Sequence, residues 1–161
     1  MGYKTFDAGA EYKWSENSPN SGLQFAVNAP THSSLIMSGA FKTTYRHMPN
    51  SHNIERGSGW GIGLGYRYYF SVMPKGLFLG TLGELWRMGM YRTADETIAR
   101  KHILVFQPNA ELGYTGVIND LFFITVYASA GKQITVTSAG DTWLFGHYFV
   151  PSWGISCGWR F

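Results

Sequence analysis

From Trp60 to Phe70 large side chains stand at every second position, Trp60, Ile62, Leu64, Tyr66, Tyr68 and Phe70, with Gly61, Gly63, Gly65, Arg67 and Tyr69 between them. A repeat of two marks a strand, whose successive side chains point to opposite faces. The final segment repeats it: Phe149, Pro151, Trp153, Ile155, Cys157, Trp159 and Phe161 alternate with Val150, Ser152, Gly154, Ser156, Gly158 and Arg160. Thr5 to Trp14 and His102 to Thr115 alternate in the same way. Gly22 to Ala29, Ser34 to Arg46, Leu77 to Arg92 and Leu121 to Gln133 complete a set of eight strands. No stretch carries a 3.6-residue period, and the many glycines would each weaken a helix by about 1 kcal/mol. The pattern predicts an all-β chain.

The connections alternate in length. Pro30–Ser33, Val72–Gly76 and Gly116–Asp120 are short, Met48–Gly57, Thr93–Lys101 and Thr135–Gly146 are long, and Ser15–Ser21 is intermediate. Long and short ends then fall on opposite rims of sequentially paired antiparallel strands. With an even strand number both termini lie on the short-turn rim. The expected architecture is an eight-stranded antiparallel up-and-down barrel, with residues 1–161 forming one domain.

Alternation alone does not say which face is outside. An eight-stranded barrel has an interior just wide enough for side chains to fill it, and Trp60, Trp153, Trp159, Tyr66, Tyr68, Phe70, Phe149, Phe106, Phe25 and Phe41 would overfill it. The complementary set, including Gly61, Gly63, Gly65, Ser38, Asn28, Asn109, Ser152, Gly154, Ser156 and Gly158 with Tyr69 and Tyr127 as larger fillers, fits a narrow lumen. Only 14% of the residues are charged, against about 25% in an ordinary soluble domain. Hydrocarbon contact accounts for the deficit, and the barrel is expected to be transmembrane.

Charges near strand centres must then point inward and pair. Asp7, Glu11, Glu84 and Glu111 face Lys42, Arg67 and the rim residues Lys13, Arg46 and Arg160 in the expected lumen network. Trp14, Tyr45, Trp60, Phe70, Tyr91, Tyr114, Tyr148, Trp159 and Phe161 gather near strand ends, as the aromatic girdles of a membrane barrel would. In Leu77–Arg92 the parity of Glu84 also holds Phe78, Trp86 and Met88. A bulge near Gly80 or Gly83 could switch faces there, and Glu84 is assigned inward.

Other features narrow the function classes. A content of 45% hydrophobic and 17% aromatic residues excludes disorder. The 13 Lys and Arg are scattered despite a pI near 9.0, so no nucleic-acid stripe exists. The single Cys157 excludes an intramolecular disulfide framework. No apolar run is long enough for a helical membrane span. Met1–Ala10 has no apolar leader core, as expected of a mature chain whose signal peptide has been removed.

The ending Trp153-Gly154-Ile155-Ser156-Cys157-Gly158-Trp159-Arg160-Phe161 resembles the closing strand of bacterial outer-membrane β-barrels, where a terminal aromatic serves as an assembly signal. The architecture resembles the small eight-stranded barrels of OmpA and OmpX type over the whole chain. Gly63-Leu64-Gly65-Tyr66-Arg67-Tyr68-Tyr69-Phe70 followed by Gly76-Leu77-Phe78-Leu79-Gly80 also resembles a strand-turn-strand block of small outer-membrane proteins of unknown function in Bacteroidota. The resemblance implies an integral outer-membrane protein among lipids, lipopolysaccharide and other envelope proteins. A soluble lipocalin- or avidin-like binder is the alternative fold reading.

Catalysis would need a nucleophile or acid-base group at the lipid boundary. His147 is the candidate for lipid A hydrolysis or acyl transfer, with Ser129, Ser152 or Ser156 as hydroxyl partner and Glu111 as carboxylate, but a rim histidine is more commonly an interfacial polar residue. His47, His52 and Glu55 have no standard metal-ligand spacing. Gly57-Ser58-Gly59-Trp60-Gly61 lacks the helix and lysine of a phosphate cradle. Cys157 reads as a lipid-facing apolar side chain. Arg46, Arg56, Arg92, Arg100 and Lys101 flank the long connections and could touch lipopolysaccharide phosphates, but Glu16, Glu55, Asp95, Glu96 and Asp141 offset them one for one. The expectation is a non-enzymatic barrel without cofactor or metal, structural or interacting in role. A small porin-like channel and a lipid A-modifying enzyme are the alternatives.

Overall fold

The computed structural model describes residues 4–15, 18–47, 54–71, 74–94, 97–140 and 148–161. Eight strands follow one another: β1 (Thr5–Ser15), β2 (Asn20–Asn28), β3 (Ser33–His47), β4 (Ile54–Tyr69), β5 (Gly76–Ala94), β6 (Thr97–Ile118), β7 (Phe122–Gly140) and β8 (Tyr148–Arg160). Each pairs antiparallel with its sequence neighbour, and β1 pairs with β8 to close the barrel. The seam ends in a reciprocal pair, Phe6 N donating to Phe161 O at 3.0 Å and Phe161 N donating to Phe6 O at 2.8 Å.

The strands extend further than hydrophobic alternation indicates. β4 begins at Ile54, inside the expected Met48–Gly57 connection. Ala94 pairs with Thr97 across what was expected to be the Thr93–Lys101 loop, and β7 continues to Gly140. β2 likewise begins at Asn20, inside Ser15–Ser21. The physical reason is that a ladder is held by backbone groups, which pair through polar residues as well as apolar ones. Much of the expected long-loop rim is therefore strand, rising furthest in β4 to β7. On the opposite rim, the β6–β7 connection tightens to a turn with Asn119 (φ 52°) and Asp120 (φ 55°) both left-handed. That pair of positive φ values is the geometry of a type I′ hairpin, which Asn and Asp tolerate.

No bulge near Gly80 or Gly83 switches the faces of β5, which pairs with β4 and β6 without a slip and holds Glu84 inward as assigned. The irregularity lies elsewhere: Leu104 pairs with Thr137 and Val105 with Thr135, which leaves Val136 as the extra residue in β7. The lumen face of β5 is accordingly apolar around its one acid, with Phe78, Leu82, Trp86, Met88 and Met90 all buried beside Glu84. The polar lumen expected from the other strands gives way here. Trp86, Met88, Met90, Ile103 and Val105 cluster inside the barrel toward the rim away from the termini.

Candidate functional site: a charged lumen inside an apolar wall

Side chains segregate by parity on every strand. Outward stand Phe41, Trp60, Leu64, Tyr66, Phe70, Phe149, Trp153 and Trp159, each between 45 and 75% exposed. Inward stand Asp7, Glu11, Lys13, Lys42, Arg67, Glu84, Glu111 and Arg160, each no more than 7% exposed. A water-soluble fold would place these two sets the other way round.

The inward charges form three tiers. Nearest the termini, Arg160 grips Asp7 with two bonds of 2.7 Å, from Nε to Oδ1 and Nη2 to Oδ2, and donates to Pro74 O at 3.0 Å. Asp7 and Arg160 are cross-strand partners on β1 and β8, so the pair lies on the closing seam. In the middle, Arg67 Nε donates to Glu111 Oε2 at 3.1 Å. Its guanidinium carbon lies 4.6 Å from the Phe78 ring centre and 5.4 Å from that of Tyr127. The Tyr127 hydroxyl donates to Glu11, which joins Glu11 to this tier through an aromatic residue. In the third tier Lys13 Nζ donates to Glu84 Oε2 at 2.9 Å, and Asn109 Nδ2 donates to the same oxygen at 2.8 Å. Lys42 Nζ sits 5.3 Å from the Trp86 ring centre, and no described carboxylate lies within ion-pair distance of it.

Arg67 thus pairs with Glu111, one of the acids expected to take it, and Glu84 takes Lys13 instead. Lys13 was expected at the rim but is 2% exposed inside the lumen, because it shares the parity of Glu11 on β1. Lys101, expected among the cations at the loop ends, also points inward and is 5% exposed. The side chain of Arg46 lies outside the described residues. Sequence reading missed Trp86 and Tyr127 as charge partners; their parity was the available signal, since each shares a face with an assigned lumen acid or filler.

Beside Arg67 a cavity of about 10 Å³ is lined by Asp7, Gln24, Tyr69 and Thr125 among others, room for about one water molecule. Arg67 Nη2 and Gln24 Nε2, both without a protein partner, are donors that such a water would accept from.

Among the expected girdle residues, Trp14, Tyr45, Trp60, Phe70, Tyr91, Tyr114, Trp159 and Phe161 are all outward and at least 40% exposed. The side chain of Tyr148 lies outside the described residues, and so does His147 entirely. The hydroxyls considered as its partners are inside the barrel: Ser129 and Ser152 share a hydrogen bond of 2.6 Å, Ser156 is 1% exposed, and Glu111 is held by Arg67. These groups face the lumen, away from any acyl chain at the outer wall. His52 lies outside the described residues, as do the side chains of His47 and Glu55, and no cluster of metal-ligating side chains occurs among the described residues. Cys157 is exposed on the outer wall.

No protein-family model matches the chain, and no curated protein sequence does. Solved structures match it over its whole length. The N-terminal β-barrel domain of Pseudomonas aeruginosa OprF superposes with a TM-score of 0.58 at 15% identity, covering 100% of both chains. Ail, the attachment invasion locus protein of Yersinia pestis, gives 0.59 at 14% identity over 100% of this chain and 99% of that one. The same protein in complex with the heparin analogue sucrose octasulfate gives 0.60 at 11% identity, covering 100% of both chains. The fold of this chain is that of the small eight-stranded outer-membrane β-barrels.

Proposed function

We propose that the protein is an integral outer-membrane barrel without enzymatic activity, a structural or interacting component of the cell envelope and a subunit of a larger envelope assembly. One observation carries the reading: the barrel is inside out relative to a soluble one, with its ion pairs in the lumen and large apolar side chains such as Trp60, Trp153, Trp159, Phe41 and Phe70 outside. A closed strand wall of this kind pairs its backbone groups between neighbouring strands, which is the condition for spanning a bilayer. Its surroundings are outer-membrane lipids and lipopolysaccharide.

The charge tiers support a sealed interior over a porin-like channel, since the Lys13–Glu84 and Arg67–Glu111 pairs each link non-adjacent strands across the lumen. The interaction role follows from what is left to recognise, the outer wall and the connections at the far rim. Purification from native membranes in mild detergent tests the reading. A barrel that depends on detergent and brings a defined partner with it is expected. A chain monodisperse in plain buffer overturns the membrane assignment. A barrel recovered alone that changes lipid A acylation, in a way abolished by His147→Ala, overturns the non-enzymatic one.

A further inference from the structure

Lys42 stands apart from the ion pairs of the lumen. Among the described residues Arg160 is taken by Asp7, Arg67 by Glu111 and Lys13 by Glu84, whereas Lys42 Nζ has no carboxylate within ion-pair distance. The charges that act on it are Glu84 and Lys13. Glu84 Oε2 is already held by Lys13 and by Asn109, and Glu11 is committed to the Tyr127 hydroxyl. Two ammonium groups thus share one carboxylate. Lys42 is buried, and an ammonium taken from water without its own counter-charge is costly. The face of Trp86, whose ring centre is 5.3 Å from Nζ, offsets part of that cost.

A second orphan adjoins the first. The indole Nε1–H of Trp86 is buried and has no acceptor among the described residues, although a buried side-chain N–H is normally bonded. Register adds an amide to the same part of the lumen, since Asn20 on β2 is the cross-strand partner of both Lys13 and Lys42 and is itself buried. An ammonium and an indole N–H in contact, with an amide alongside, lack an acceptor and a negative charge. One anion would supply both.

Packing limits the size of that anion. The β4 wall next to Lys42 is bare, but Trp86 and Met88 fill it: a Cβ on Gly61 would lie 2.5 Å from the indole Cδ2, and one on Gly59 would lie 2.8 Å from Met88 Cγ. The section suits a monatomic ion better than a phosphate or a carboxylate. Water is the neutral rival. It would accept from the Trp86 Nε1–H, yet it would leave the excess positive charge of Lys13, Lys42 and Glu84 uncompensated.

We propose that Lys42 and Trp86, with Asn20 beside them, form a halide-binding site in the lumen, occupied by chloride in ordinary media. The ion accepts from Lys42 Nζ, which carries three donors on a flexible stem, and from the Trp86 Nε1–H. It neutralises the excess charge of this section and links β3 to β5 across the lumen. The site belongs to the interior and is independent of what the outer wall meets.

The full chain, refolded in detergent micelles, is unfolded with urea while sodium gluconate is replaced stepwise by sodium chloride at constant ionic strength. The midpoint of the parent should rise with chloride and level off. Lys42→Met, which removes the uncompensated charge, should start higher in gluconate and ignore chloride. Lys132→Gln, at an exposed position on the outer wall, should respond as the parent does. Trp86→Phe keeps a ring face and loses the N–H, and it should need about tenfold more chloride for half the effect. A variant whose one tryptophan is Trp86 gives a second readout that needs no change at Lys42. Iodide should quench its emission to a plateau, chloride should reverse the quenching, and caesium, a cationic quencher, should have no effect. The site is refuted if the parent's midpoint is indifferent to chloride, which is the result a bound water would give. It is refuted equally if Lys42→Met keeps the parent's response, or if iodide leaves Trp86 unquenched or quenches it without saturating.

Discussion

Gly61 and Trp86 are cross-strand partners on the lumen face, and a Cβ on Gly61 would lie 2.5 Å from Cδ2 of the indole. The fit recurs along the ladder. A Cβ on Gly59 would be 2.8 Å from Met88 Cγ, one on Gly65 would be 2.9 Å from Leu82 Cδ1, and Gly57 faces Met90 in the same way. The glycine run of β4 and the large-residue run of β5 are one feature, a bare wall facing a full one. Glycine weakens a strand on its own account, so its repetition here is explained by the volume that β5 places opposite.

Gly61→Val should destabilise the barrel by about 1–3 kcal/mol, the usual cost of overpacking a filled interior. Gly39→Ala is the control, because a Cβ at Gly39 meets nothing within 4 Å. Reversible guanidinium unfolding in lipid vesicles, followed by heat-modifiable gel mobility, distinguishes them. Equal midpoints for the two variants would show that the Gly61–Trp86 fit has no energetic weight.

The Arg67–Glu111 pair yields a second expectation. Both side chains are no more than 3% exposed, and removing one partner leaves the other charge uncompensated, at about 3–5 kcal/mol. Arg67→Met should therefore lower the unfolding midpoint strongly, and Glu111→Gln should lower it too. The double change R67M/E111M should recover much of the loss, since an apolar pair can replace a buried ionic one at little cost. Lys75→Gln, at an exposed position, should leave the midpoint where it is. A double variant as unstable as Arg67→Met would mean that the partners do not act as a pair.

Most of the architecture was legible because a barrel wall enforces a period of two wherever one face is lipid and the other is packed. Asp7, Glu11, Lys42, Arg67 and Glu111 could be assigned inward once lumen volume and the cost of a lipid-facing charge had chosen between the two faces. The ambiguity on β5 arose from treating lumen volume as uniform around the barrel. Trp86 and Met88 are too large for an average lumen position, yet they fit opposite Gly61 and Gly59, a relation between strands that no single strand displays. Partners were less legible than faces for the same reason: Glu84 meets Lys13 because of register, which alternation leaves open. Strand ends were least legible, since residues such as Arg56 and Ser58 stay in the ladder through backbone bonds that composition does not report.

The sealed lumen proposed above should be electrically silent. Ion pairs link non-adjacent strands at two levels, Lys13–Glu84 and Arg67–Glu111, and the cavity beside Arg67 has room for about one water. Planar bilayers containing the refolded barrel should show no step conductance under an applied voltage. Neutralising one tier, as in K13Q/E84Q, should also leave the membrane silent, because the Arg67–Glu111 pair and the Trp86, Met88 and Met90 cluster remain inside the barrel. Stable unitary steps from the parent protein would overturn the sealed-lumen reading in favour of a small channel.

The tryptophans test the inside-out arrangement directly. Trp60, Trp153 and Trp159 are 55, 55 and 63% exposed on the outer wall, whereas Trp86 is 2% exposed within the lumen. Single-tryptophan variants, with the remaining tryptophans changed to phenylalanine, are to be reconstituted in vesicles whose acyl chains carry bromine. Because such quenching requires close approach of the bromine to the indole, emission from Trp60, Trp153 and Trp159 should fall and that from Trp86 should hardly change. Acrylamide, acting from water, should reach none of the four efficiently, since three face hydrocarbon and its interface and the fourth lies behind the wall. Bromolipid quenching of Trp86 to the same extent as Trp153 would mean that β5 presents its other face outward, and with it Glu84, which a lipid-facing position could not hold in the charged form.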